Sequence, residues 1–172
     1  MNTTNSNCMT SINNTCLLVL IFLSILSCNK PKELSLSDEK AKILALHSAQ
    51  RAYHFNKDSI AFVGQLSDNF IPINKGNISA PKEEETISKY NRYLSLVEFE
   101  KWDDATEPII KFSDDGSMAY AIVDKIVELN YKDSNGNKVA SKTHFAWVAI
   151  YKKYCDDWKI DCVVSTDKPI AS

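Results

Sequence analysis

The chain has 172 residues, of which 44% are hydrophobic and 24% are charged, and its formal net charge is −2. This composition is typical of a globular protein, and the length predicts one domain whose core needs neither disulfides nor a metal for stability. Lysines and acidic residues are interspersed without a basic stripe, which argues against a nucleic-acid-binding protein.

The first 27 residues contain no Asp, Glu, Lys or Arg. Within them, Cys16 to Leu26 is an apolar run of 11 residues, which is too short to span a bilayer but typical of a signal peptide. The sequence Ile25-Leu26-Ser27-Cys28 that follows resembles a bacterial lipobox, in which a diacylated cysteine becomes the mature N-terminus. Signal peptides usually carry Lys or Arg near their start, so an uncleaved leader with an incidental Cys28 is the alternative.

These observations predict a lipoprotein signal peptide over 1–27, a tether over 28–36 and one domain over 37–168. The expected location is the bacterial cell envelope, in the periplasm or at the outer membrane, with a lipid anchor on Cys28. Two other cysteines, Cys155 and Cys162, are expected to be free thiols, because hairpin geometry places them on the order of 15 Å apart.

Helical spacing comes first along the chain and alternating spacing follows it. Helices are predicted over Asp38–Asn56, Asp58–Leu66 and Lys82–Leu96, with a short strand at Phe70–Ile73 between the second and the third. Four long strands are then predicted over Phe99–Phe112, Ser117–Lys132, Lys138–Tyr154 and Trp158–Ser165. This order predicts an α+β domain with helices packed on one face of a curved antiparallel sheet.

The segments WDDATEPIIKFSDDGSMAYAIVDK, THFAW and WKIDCVVST resemble secreted or lipid-anchored SnoaL-like proteins, which belong to the nuclear transport factor 2-like superfamily. The resemblance extends from Asp38 to Ser165. It implies a cone-shaped α+β fold that encloses a pocket, and a homodimer formed through the outer face of the sheet. The superfamily contains enzymes and non-enzymes, so the resemblance does not choose between them.

Asp103 and Asp104 are adjacent carboxylates that raise the question of a metal or acid/base pair. Neighbouring residues of a strand point to opposite faces, so only a bulge would aim both at one ligand. The turn after Ser113 leaves two registers open: a three-residue loop places Asp103 on the face of Lys125, and a four-residue loop places Trp102 and Asp104 there. We prefer the second, which predicts an ion pair between Asp104 and Lys125 at the rim of the pocket.

Pairing the strands through a two-residue Asn135-Gly136 turn and a three-residue turn at Cys155–Asp157 predicts the contents of the two sheet faces. The helix-covered face is expected to carry Val123, Lys125, Val127, His144, Val148, Ile150, Ile160, Cys162 and Val164. The outer face is expected to carry Ile122, Asp124, Ile126, Phe145, Trp147 and Tyr151, which suits a homodimer interface. The inverted assignment places Asp124 and Trp147 in the pocket instead.

The candidate ligand-binding residues are therefore Tyr53, Trp102, Asp104, Lys125 and His144. Tyr53 is included because related ketosteroid isomerases use a tyrosine of the first helix, although a core role for it is the alternative. His47 and His54 lie on the first helix, and one or both are expected to be solvated. No cofactor and no metal site are expected.

The first function predicted is non-catalytic binding of a small, partly apolar ligand or a partner protein at the envelope. The alternative is a cofactor-free isomerase, dehydratase or hydrolase that uses a pocket His or Asp as its general base. A structural dimer with a filled cone is the third possibility. The distinguishing feature is whether a pocket carboxylate or histidine is free of ion-pair partners.

Overall fold

The structure is a computed structural model that describes residues 35–170. The predicted signal peptide and Cys28 lie outside the described residues. Helix α1 spans Leu36–Phe55, α2 spans Ser59–Val63 and α3 spans Glu83–Leu96. None of the helices in the described range is long and apolar enough to cross a membrane.

Side-chain caps explain where the first two helices begin. The Ser35 hydroxyl accepts the backbone N–H of Asp38 at 3.4 Å, and α1 carries acidic residues in its first turn, where the helix dipole favours them. The Asp58 carboxylate accepts the backbone N–H of Ala61 at 2.9 Å and starts α2. This second helix ends at Val63, earlier than predicted, because the chain turns at Gly64 and enters a strand at Leu66.

The strands of the described region are β1 (Leu66–Asn74), β2 (Asn77–Ile78), β3 (Val97–Asp104), β4 (Ile109–Phe112), β5 (Met118–Lys132), β6 (Lys138–Tyr154) and β7 (Asp157–Pro169). They form one sheet in the order β2-β1-β7-β6-β5-β3, with β4 also paired to β5. The β1–β7 pair is parallel and the other pairs are antiparallel. This arrangement of helices on a mostly antiparallel sheet confirms the predicted α+β class.

The register between β5 and β6 differs from the prediction by one residue. Lys125 pairs with Phe145, and His144 pairs with Ile126. The turn has three residues between Asp133 and Asn137, not two, because the Asp133 carboxylate accepts the backbone N–H groups of Asn135 and Asn137 and Gly136 adopts a φ of 83°. A slip of one residue moves every side chain of a strand to the other face.

The sheet faces predicted for β6 are consequently wrong. His144, Val148 and Ile150 lie on the outer face together with Ile122, Asp124 and Ile126. Phe145, Trp147 and Tyr151 lie on the helix-covered face instead, and they share it with Val123, Lys125 and Val127.

The registers of β3 and β4 with β5, and of β6 with β7, agree with the predictions. A four-residue turn joins β4 to β5, and Asp104 pairs with Lys125 as preferred. Ile150 pairs with Cys162 and Val148 with Val164, also as predicted. The turn between β6 and β7 is one residue shorter than expected, but a bulge after Ile150 restores that register. Cys162 and Val164 lie on the outer face with Ile150, so the helix-covered face predicted for them is wrong. Both cysteines of the described region are free, as expected.

The core lies between the helices and the inner face of the sheet. Alternate residues of β5 from Ala119 to Val127 are buried, as the two-residue period of a strand requires. They pack with Ile43 of α1, Phe62 of α2, and Tyr151 and Ile160 of the last two strands. The candidate site lies on this inner face.

Candidate functional site

The face that α1 turns toward the sheet is largely polar. Its buried residues are Glu39, Ile43, His47, Gln50 and His54, which recur at intervals of three or four. Only Ile43 among them is aliphatic, although the partly buried Leu46 and Tyr53 also pack against the core. Glu39 and His47 find polar partners on the sheet. The predicted solvation of the helix histidines is wrong for both, because His47 is 4% exposed and His54 is 3% exposed.

Asp104 of β3 is the centre of a polar cluster that also contains His47, Lys125 and Trp102, called here the Asp104 cluster. The Lys125 Nζ donates to Asp104 Oδ1 at 2.6 Å, and the His47 Nε2 lies 2.9 Å and 3.0 Å from the two carboxylate oxygens. The Lys125 side chain is 3% exposed and the Asp104 side chain 29% exposed, so the carboxylate separates two buried groups from solvent. The predicted Asp104–Lys125 ion pair is therefore present.

The adjacent carboxylates diverge. Asp103 binds the guanidinium of Arg51 at 3.3 Å on an exposed surface, whereas Asp104 faces the interior and binds Lys125. The hypothesis of a paired-carboxylate site is thus excluded by strand geometry. Within residues 35–170, no three His, Cys, Asp or Glu side chains are arranged to hold a metal ion.

The electrostatics of the Asp104 cluster follow from burial and from these contacts. Burial raises the pKa of Asp104, but hydrogen bonds from Lys125 and His47 outweigh it and hold the pKa below its ordinary value. Burial, together with the charge of Lys125, lowers the pKa of His47 by more than Asp104 raises it. At neutral pH the carboxylate is ionised and the histidine is neutral. An ionised carboxylate only accepts hydrogen bonds, so Nε2 of His47 carries the ring proton.

Aromatic rings surround the inner side of the cluster. His54 stacks on Trp102 with ring centroids 3.7 Å apart, and the Lys125 Nζ lies 5.5 Å from the ring centroid of Trp102 and 5.9 Å from that of Trp147. The His54 Nδ1 donates to the carbonyl of Gln50 at 2.7 Å, and burial lowers the pKa of His54 to about 4. The indole N–H of Trp102 is buried and has no hydrogen-bond partner among the described residues.

Two of the predicted site residues do not join this cluster. His144 lies on the outer face of the sheet, because the β5–β6 register is displaced by one residue. There its ring nitrogen contacts the carboxylate of Asp124. Tyr53 packs against the hydrophobic core and is only partly buried. The structure brings Trp102, Asp104 and Lys125 together and adds His47, which the hydrophobic pattern of α1 did not reveal. The three-to-four-residue spacing of its polar residues was the signal available.

A buried carboxylate, Glu39, fixes the start of α1. Glu39 accepts hydrogen bonds from Trp158 Nε1 at 2.6 Å, from Lys42 at 3.0 Å and from Lys153 at 3.0 Å. Burial raises the pKa of Glu39, but the hydrogen bonds from Lys42, Trp158 and Lys153 lower it to about 2. These contacts join the helix to the β6–β7 hairpin, which is a structural role.

Comparison with known proteins defines the fold. No protein-family model matches the sequence, and no curated protein matches it. Solved structures do match. A nuclear transport factor 2-like protein from Cytophaga hutchinsonii is 16% identical with a TM-score of 0.58, and the match covers 77% of this chain and 98% of that one.

Two further similar structures have names that refer to enzymes. A ketosteroid isomerase-like protein from Erwinia carotovora atroseptica is 14% identical with a TM-score of 0.58, covering 77% of this chain and 96% of that one. A type 2 hexachlorocyclohexane dehydrochlorinase is 16% identical with a TM-score of 0.61, covering 78% and 90%. Structural similarity at such low identity establishes the fold and not the activity. The chain has the nuclear transport factor 2-like fold.

Proposed function

We propose that this protein is a non-catalytic binding domain of the bacterial cell envelope that holds a small, partly apolar ligand. The supporting observation is that Lys125 and His47 both bind the Asp104 carboxylate. A general base needs a free lone pair and a pKa near the working pH. Asp104 has its pKa lowered by these partners, so it is better suited to holding the domain together than to taking a proton.

A second candidate function is a cofactor-free isomerase, dehydratase or hydrolase. The observation in its favour is the His47–Asp104 pair, because a carboxylate that holds one nitrogen of an imidazole leaves the other nitrogen as the base. Against it, His47 is 4% exposed, and a substrate would have to reach a ring covered by its own helix and by β3. The binding function is therefore preferred.

One experiment separates these functions. The protein is purified gently from its own membranes and analysed by native mass spectrometry. Binding predicts a retained small molecule that is unchanged on incubation. Conversion of that molecule, and loss of the conversion in His47→Gln with retention in His144→Gln, would instead establish the enzyme. A protein that carries nothing would contradict both functions.

Attachment to the envelope is part of the proposal and rests on the sequence around Cys28. The expected anchor is a diacylated Cys28, since two acyl chains are sufficient for stable attachment. Cys28→Ala should release the protein from the membrane fraction, whereas Cys155→Ala should leave it there. Unchanged membrane retention of Cys28→Ala would refute the anchor.

A homodimer through the outer face of the sheet also belongs to this proposal. Met118, Tyr120, Ile122, Val148 and Ile150 line a shallow, almost entirely apolar depression of about 540 Å³ on that face. Ile122 is 43% exposed and Tyr120 is 42% exposed, and contiguous apolar surface of this kind is typical of an interface. A second copy of the chain presents a matching apolar surface, as a twofold interface requires.

A further inference from the structure

A groove of about 370 Å³ lies between the end of α2, the start of α3 and the tip of the β6–β7 hairpin. Its volume is within the range of small-molecule sites. None of the residues of the Asp104 cluster lines it. We call it the hairpin groove, and it is a site distinct from the residues considered above.

The walls of the hairpin groove are apolar and partly aromatic. They include Val63, Leu66, Phe70, Pro81 and Tyr154. Val63, Leu66 and Phe70 are also buried residues of the hydrophobic core, so this wall is held in place by the packing of the domain. A rigid apolar wall suits the uncharged body of a ligand.

The charges around the groove are predominantly negative. Asp68, Glu83 and Asp157 line it, and none of these three carboxylates has an ion-pair partner within residues 35–170. Lys159 contributes one positive charge, but its ammonium is already bound to the backbone carbonyl of Gly64. The groove therefore repels an anionic ligand and attracts a cationic one.

The remaining polar groups of the groove are satisfied by the protein. The Ser67 hydroxyl donates to Asp161 at 2.7 Å, and the Thr86 hydroxyl donates to the carbonyl of Lys82 at 3.0 Å. Recognition of a ligand is thus left to the carboxylates and to the rings of Phe70 and Tyr154. Carboxylates combined with aromatic rings are the groups that bind ammonium ions.

We infer that the hairpin groove binds a small organic cation, an amine or quaternary ammonium compound with an apolar body. The inference rests on the proposed binding function and names both the place and the chemical class of the ligand. The cationic group faces Asp68, Glu83 and Asp157, and the apolar body covers the wall formed by Val63 and Leu66.

The test uses the full-length protein in nonionic detergent and isothermal titration calorimetry. The probes are benzyltrimethylammonium, benzyl alcohol and phenylacetate, which share a ring and differ in charge. The cation should bind at least about tenfold more tightly than the other two. Asp68→Asn combined with Asp157→Asn should weaken binding of the cation about tenfold or more and change binding of benzyl alcohol less than about twofold.

Asp114→Asn is the matched control, because Asp114 is an exposed carboxylate in the β4–β5 turn and does not line the groove. It should bind all three probes as the unaltered protein does. Equal binding of the cation and phenylacetate, or equal weakening by Asp114→Asn, would overturn the inference. If native mass spectrometry finds a retained ligand but the cation fails here, this inference alone is wrong. If neither experiment finds binding, the proposed function is wrong as well.

Discussion

Removing the carboxylate of Asp104 is expected to destabilise the domain strongly. In Asp104→Ala the Lys125 ammonium loses its 2.6 Å partner, and no other carboxylate of residues 35–170 forms an ion pair with it. Its side chain is 3% exposed, so water cannot replace the lost contact without rearrangement. Breaking a buried ion pair from one side costs about 3–5 kcal/mol, and we expect about 3 kcal/mol because the Asp104 position itself is partly open to solvent.

Asp103→Ala is the matched control. It removes the neighbouring carboxylate of the same strand, but from an exposed pair with Arg51, for which about 0–1 kcal/mol is expected. The free energy of unfolding is measured by urea titration, followed by tryptophan fluorescence, with the slopes compared to confirm that the same transition is observed. Costs for the two variants that agree within about 1 kcal/mol would refute the argument that Asp104 neutralises a buried lysine.

A double variant identifies the source of the cost. Asp104→Ala combined with Lys125→Met removes both charges and leaves an apolar side chain among Trp102 and Trp147. Replacing both members of a buried pair is often close to neutral, so most of the lost stability should return. A double variant as unstable as Asp104→Ala would show that the loss does not come from the unpaired ammonium but from packing or from the N–H of His47, which also loses its partner.

Three further results are expected. The pKa of His54 is about 4 in the folded state and 6.5 in the unfolded chain, so the unfolded chain binds more protons between these pH values. The free energy of unfolding therefore falls by about 3 kcal/mol as the pH drops from 6.5 to 4. His54→Phe should reduce this loss in urea titrations at several pH values, and an unchanged loss would contradict the role of His54. Trp158→Phe removes a donor to buried Glu39 and should cost about 1–3 kcal/mol by the same assay, and a neutral result would show that the hydrogen bond is dispensable. Ile122→Lys on the outer face should convert a dimer to a monomer in analytical ultracentrifugation, whereas Ile60→Lys on α2, which is 70% exposed, should not.

The sequence alone predicted most of the secondary-structure elements and the part of the site that lies on the sheet. Alternating residues and turn signals located the long strands, although the segment predicted as one strand over Phe99–Phe112 forms two, β3 and β4. The preferred register of β3 placed Asp104 beside Lys125 as observed. The register of β6 was not predictable from the Asn135-Gly136 pair alone, because the Asp133 side chain selects a longer turn. The longer turn selected by Asp133 places His144 on the outer face of the sheet.

The contribution of α1 was missed for a different reason. The alanines of the helix do not mark its buried face, because Ala41, Ala45 and Ala52 are exposed in the structure. The buried stripe consists mostly of polar residues, and two of them, Glu39 and His47, have their partners on the sheet. Hydropathy cannot find such a face, because the partners come from strands more than 50 residues away, as Asp104 does.

The polar face of α1 has a consequence for how the helix is aligned. Glu39 and His47 are eight residues apart, which corresponds to about 12 Å along the helix axis, and each has a partner at a fixed place on the sheet. An aliphatic helix could move by one turn, about 5.4 Å, and still bury a similar surface. Here the same movement would separate both pairs together, because Glu39 would leave Trp158 and Lys153 while His47 would leave Asp104. The helix thus has a single permitted axial position, set by two points of contact and not by the amount of surface it covers.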